Sequence, residues 1–197
     1  MDTSTLTRPK LMFPDAEAAL VTAEYTRADV ILEYGSGGST VLAGDMPGKQ
    51  VFSVESDQNW AQMMRQWFAD TPPQASVDVI WTDIGPTKQW GWPKTDKHWR
   101  RFADYPLLVW DLDEFRHPDV VLVDGRFRQG CVLATQMRIT RPVVLLFDDY
   151  TTRKHYHEIE EFVGPPTLTG RMARFDLTPQ PVDPTRLLQI MKLMTQA

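Results

Sequence analysis

Along this chain, short apolar runs rich in β-branched residues alternate with stretches whose apolar positions recur at intervals of three and four. The runs are Ala28 to Leu32, Gln50 to Val54, Val77 to Trp81, Asp119 to Val123 and Pro142 to Phe147. They are mostly continuously apolar, as expected of strands covered on both faces. Between the second and third, Trp60, Met63, Met64, Trp67 and Phe68 follow helical spacing, with Asp57 suited to the N-cap and Thr71-Pro72-Pro73 as the stop. Further helices are predicted over Phe127 to Arg138, Arg153 to Val163 and Thr185 to Met194. Strands alternating with helices predict an α/β fold with three layers and a mostly parallel, doubly wound sheet. Two stretches break the rhythm. The connection from Asp83 to His117 is far longer than usual, and Gly170 to Leu177 reads as an edge strand.

Composition narrows the class. At roughly 150 residues per domain, 197 residues make one domain. It is expected to comprise a flexible start over 1–14, a long aromatic insertion over 84–117 and a C-terminal helix over 184–197. A net charge of -5 argues against a grip on bulk nucleic acid or an anionic membrane. No apolar run approaches the ~18 residues of a membrane span and no signal-peptide core is visible, so the cytoplasm is the default address. The single cysteine, Cys131, excludes a disulfide framework and a cysteine-built zinc site; it reads as a small core residue. His98, His117, His155 and His157 show no metal spacing. The insertion mixes Trp90, Trp92, Trp99, Tyr105 and Trp110 with Lys88, Lys94, Lys97, Arg100 and Arg101. It reads either as a lid or as a holder for a flat or anionic small molecule.

The chemistry gathers at the strand ends. Each predicted strand finishes in, or just before, an acid: Glu33, Glu55, Asp83, Asp124, then Asp148 and Asp149. In an open α/β sheet, ligands bind outside those ends. The first turn, Glu33-Tyr34-Gly35-Ser36-Gly37-Gly38-Ser39-Thr40, lets the backbone approach a ligand closely at a helix N-terminus. A dinucleotide fingerprint would place glycine at 40, where Thr40 stands, and a phosphate loop would end in Gly-Lys-Ser/Thr. Glu33 would repel a pyrophosphate but suits a cation. Glu55 falls 20 residues after Gly35, where an acid can take both ribose hydroxyls. A ribose-bearing ligand with a positive centre and no phosphate satisfies both, and S-adenosylmethionine is that ligand.

The segments ILEYGSGGST and VFSVESD resemble the first two motifs of the class I S-adenosylmethionine-dependent methyltransferases. The resemblance implies their Rossmann-like seven-stranded sheet with an antiparallel strand near the C-terminus. It also implies cofactor binding by Glu33, Gly35, Ser36, Gly37, Gly38, Glu55, Ser56, Asp83 and Asp124, with Asp83 near the adenine. VLVDG and LLFDDY further resemble the metal-dependent catechol-type O-methyltransferases. On that likeness Asp124, Asp148 and Asp149 are candidate magnesium ligands, and Asp124 and Asp148 are the candidate catalytic residues. Oxygen ligands of this kind suit magnesium or calcium. The same three acids could instead cap helices and pair with Arg126, Arg128 and Arg153. The family's lysine, three residues after the first of these acids, is here Phe127. The function implied is methyl transfer to oxygen of a small molecule. The alternatives are a cofactor-binding module without catalysis and an NAD-type oxidoreductase.

Overall fold

A computed structural model describes residues 7–197; the first six residues of the expected flexible start lie outside the described residues. Seven strands form one sheet: β1 (Val30–Tyr34), β2 (Gln50–Glu55), β3 (Ser76–Trp81), β4 (Val120–Val123), β5 (Val143–Phe147), β6 (Thr167–Thr169) and β7 (Met172–Leu177). Their order is β3-β2-β1-β4-β5-β7-β6. The first five pair in parallel, and β7 runs antiparallel to both β5 and β6. Gly170 to Leu177 therefore does not supply the edge. The three-residue strand Thr167–Thr169, which follows Pro165-Pro166 and pairs with Met172 to Arg174, takes that place.

The two faces of β1 explain the layers. Leu32 and Tyr34 pack with Phe52, Val121, Val123 and helix residues Cys131 and Val132, whereas Ile31 packs with Val51, Val120, Leu122, Val21 and Tyr25. The helices are α1 (Asp15–Arg27), α2 (Gly38–Gly44), α3 (Gln58–Asp70), α4 (Asp104–Leu107), α5 (Arg128–Arg138), α6 (Glu160–Val163) and α7 (Leu187–Met194). Asp57 caps α3 as its spacing predicts, accepting the Trp60 N–H at 3.0 Å. The predicted helix from Arg153 is instead a tightly wound two-turn stretch, Lys154–Ile159, leading into the one turn of α6. Tyr156 and Ile159, both buried, lie three residues apart, which suits the tighter winding.

The long insertion divides in two. Its first half forms a ribbon, Thr87–Lys88 against Trp92–Pro93. Its second half is not a lid but part of the layer over β1. There Trp110 Nε1 donates to the Tyr34 hydroxyl at 2.8 Å, and that hydroxyl donates to the Pro106 carbonyl at 2.7 Å.

Candidate functional site

The tops of β1 and β4 are drawn tightly together. The backbone N–H groups of Asp124 and Gly125 both donate to the Tyr34 carbonyl, at 2.9 and 2.6 Å. Gly35 turns with φ 106°, and a Cβ there would stand 2.7 Å from the Gly125 nitrogen. Glycine is required twice over, by conformation and by contact. Beyond this crossing, where the chain leaves β1 on one side and β4 on the other, lies a cavity of about 1140 Å³. That exceeds the roughly 300–1,000 Å³ of an ordinary ligand pocket and leaves room for two molecules.

One wall is the glycine turn and the end of β2. Gly37 has extended backbone, and a Cβ built on it meets nothing within 4 Å. Its N–H donates to Thr40 Oγ1 at 2.9 Å, so position 40 closes the turn instead of admitting a phosphate. Glu55 accepts the backbone N–H groups of Ser36, Ser56 and Asp57 at 3.2, 2.7 and 2.8 Å. Burial raises its pKa, and those three donors pull it back. Above them the turn at Trp90–Gly91–Trp92 closes down. Trp90 has left-handed backbone (φ 65°) and a side chain 78% exposed. Such strain in a bulky residue belongs at ligand sites more often than elsewhere.

Gly35, Ser36, Gly37, Gly38, Glu55, Ser56, Asp124, Asp148 and Asp149 all line this cavity. Two expected residues do not. Glu33 is fully buried on the opposite side of the sheet, where it accepts the Tyr25 hydroxyl at 2.6 Å and the Ser53 hydroxyl at 3.2 Å. The strand continues through Tyr34, so Glu33 shares a face with Ile31 and is not at the strand end. Burial raises its pKa, which the hydroxyls of Thr40, Tyr25, Ser39 and Ser53 offset. Asp83 lies beyond the cavity, half-exposed and paired with Arg101 at 2.5 Å.

The far wall holds the three aspartates, within 4.8 Å of one another. Each faces an arginine. Arg171 grips both oxygens of Asp148, at 2.8 and 2.7 Å. Arg153 binds Asp149 at 2.8 Å, and Asp149 itself sits in the left-handed region (φ 58°). Arg128, buried, donates to the carbonyls of Gly125, Asp148 and Asp124 and to Asp124 Oδ1 at 3.1 Å. Arg126, expected among these partners, is not one of them. Its guanidinium stacks on the Trp92 ring, 4.4 Å from the centroid. Burial, and then Asp148 and Asp149, outweigh Arg128 and push the Asp124 pKa up to about 7.

Solved structures show the same architecture. A methyltransferase-like protein from Silicibacter pomeroyi is 56% identical, covering 96% of this chain and 99% of that one, with a TM-score of 0.94. The chain belongs to the methyltransferase-like proteins, with the class I S-adenosylmethionine-dependent methyltransferase fold. More distant structures share the fold. One is a Streptomyces achromogenes O-methyltransferase involved in tomaymycin synthesis, in complex with S-adenosylmethionine (14% identity, 85% of this chain and 82% of that one, TM-score 0.53). Another is a Bacillus cereus O-methyltransferase in complex with S-adenosylhomocysteine (10% identity, 88% and 85%, TM-score 0.52). No protein-family model matches the sequence, and no curated protein does.

The family's cofactor fits the near wall. A cradle that a Gly37 side chain would fill lies beside a buried carboxylate at the end of β2. A divalent ion does not fit the far wall, because the ligand oxygens already hold three guanidinium groups, whose charge would oppose a cation. Replacing Arg171 by methionine is accordingly expected to destabilise the fold by about 3 kcal/mol. This is the lower end for removing one partner of a buried pair, because the Arg171 side chain is 35% exposed. Urea unfolding should show it, and magnesium should leave the wild-type midpoint unmoved.

Several lining residues had no signal in the sequence. Pro9 to Phe13, within the expected flexible start, border the cavity. Phe127, at the family's lysine position, is buried against Phe102 and Tyr105 and does not reach the cavity. Its left-handed backbone (φ 50°) turns it inward just before α5. His117 lies at the opposite end of the sheet, where its Nε2 accepts the Thr140 N–H at 3.0 Å. It therefore serves no base role at this cavity.

Proposed function

We propose that residues 7–197 act as one methyltransferase-like domain. It binds S-adenosylmethionine along the near wall of this cavity and directs methyl transfer to a small-molecule acceptor, through oxygen, against the far wall. The observation that carries the reading is that one cavity is lined both by Glu55 and the open face of Gly37 and by Asp124, a carboxyl group whose pKa burial pushes up to about 7. The bound cofactor would supply an electrophilic methyl group. Glu55 would hold the ribose hydroxyls through its remaining lone pairs, and Ser36 and Gly37 would border the amino acid portion. Asp124 would accept the proton of the acceptor hydroxyl. The closed turn at Trp90 to Trp92 would exclude water.

Calorimetry with S-adenosylhomocysteine, followed by turnover of labelled S-adenosylmethionine with a panel of phenols, tests this reading. Binding with turnover supports it. Binding with no turnover on any acceptor favours a cofactor-holding module, the second reading, for which the inward-facing Phe127 speaks. Binding of NAD in place of S-adenosylhomocysteine would sink both. Within the same assay, Glu55→Ala is expected to weaken S-adenosylhomocysteine by about 1.5–3 kcal/mol, the scale of hydrogen bonds to a charged group. An unchanged dissociation constant in a folded variant would remove Glu55 from the ribose site.

A further inference from the structure

Arg126 is the unexplained charge of this cavity. Its residue is 8% exposed and lines the cavity wall. Its Nε is buried without a hydrogen-bond partner. Among the described residues no acid pairs with it and no carbonyl accepts from its guanidinium, although Arg128, Arg153 and Arg171 each hold an aspartate. The indole of Trp92 supports one face of the group. A cation held out of water without a counter-charge is costly, and cation–π stacking of about 0.5–2 kcal/mol recovers only part of that cost. The guanidinium is planar and forked, a shape that matches a carboxylate or phosphate through two parallel hydrogen bonds. Its position is also informative: two residues past Asp124, it faces the cavity where Phe127 turns away.

We propose that Arg126, stacked on Trp92, is the anion-recognition element of the acceptor site, so that the acceptor is a flat molecule carrying a carboxylate or phosphate group. This rests on the methyl-transfer reading of the cavity and names the substrate class within it. The strained, exposed Trp90 beside Trp92 offers a second aromatic surface for the flat part. The aspartates of the far wall are already matched by their own arginines, so they do not cancel the charge of Arg126.

The test uses the full chain, saturated with S-adenosylhomocysteine, and three probes of similar shape: para-hydroxybenzoate, phenyl phosphate and the neutral para-hydroxybenzamide. Wild type is expected to bind at least one anionic probe more tightly than the amide, by on the order of 10- to 100-fold, in a salt-sensitive manner. Whichever anion binds tighter distinguishes carboxylate from phosphate. Arg126→Met, which keeps the stem over Trp92, is expected to lose that preference and to retain wild-type affinity for S-adenosylhomocysteine. Arg126→Lys should restore part of the preference, having the charge without the fork. If the amide binds as well as both anions, or if no probe binds, the proposal is overturned. It is equally overturned if Arg126→Met keeps the preference. Should the methionine variant fail to fold, the lysine variant and the wild-type contrast decide alone. Loss of S-adenosylhomocysteine binding by wild type would instead overturn the methyl-transfer reading, a separate and distinguishable result.

Discussion

Gly37→Val is expected to abolish S-adenosylhomocysteine binding while leaving the protein folded. The backbone at Gly37 is extended, with φ 174°, a conformation open to any residue, so the substitution carries no intrinsic strain. A Cβ there meets no protein atom within 4 Å, so the added side chain points into the cavity. The thermal midpoint should therefore stay close to wild type, because nothing in the core is displaced. Binding should vanish, because the branched side chain occupies the space where the ligand would lie. Gly35→Ala makes the opposite contrast. There φ is 106° and the new atom would press on the Gly125 backbone, so the fold itself should weaken. Two glycines two residues apart thus fail for different reasons, and calorimetry and melting curves separate them. A Gly37→Val protein that binds S-adenosylhomocysteine normally would show that this turn is not the cradle.

The parts legible in the sequence were those that local pattern dictates. The central strands β4 and β5 stood out because burial leaves no polar position to interrupt them, and β3 stood out despite its exposed edge because only Ser76 and Asp78 break its apolar run. Asp57 stood out because a cap needs an oxygen at one position. Glu55 could be placed at the cavity because it is the last residue of its strand. Glu33 could not, because in a strand a shift of one residue reverses the face, and the strand ran two residues further than its apolar run. Helix α1 gave no clear pattern because its buried face carries Glu17 and Glu24. Those acids are bound by the Arg171 N–H and by Arg27, with Arg174 alongside, contacts mostly between residues far apart in sequence. The same distance hid the pairing of Asp148. Its arginine lies 23 residues away across a strand turn, and only the fold brings them together. The acids suggested a metal, and the arginines that neutralise them were invisible until the turns were built.

Asp124→Asn is expected to lower methyl transfer by on the order of 100- to 10,000-fold, the usual contribution of a positioned general base, and to leave S-adenosylhomocysteine affinity nearly unchanged. The carboxyl group is well suited to the role because it titrates at about 7. At that value a substantial fraction is ionised at neutral pH while the group keeps appreciable basicity. Wild-type turnover should rise with pH through 7 as Asp124 loses its proton, and the asparagine variant should lack that limb. Stability should move the other way. A carboxyl whose folded pKa lies above its unfolded value, about 3.9, favours the fold while protonated. That contribution is fully present below pH 4 and is lost as pH rises through 7. Asparagine cannot ionise, so the variant should gain stability over wild type as pH rises from 4 to 8, read from melting midpoints across the range. Opposite pH trends in rate and stability, both removed by one substitution, would tie the raised pKa to proton transfer. A variant that keeps the wild-type rate and pH limb would show that Asp124 only pairs with Arg128, and the proton would then need another acceptor at the far wall.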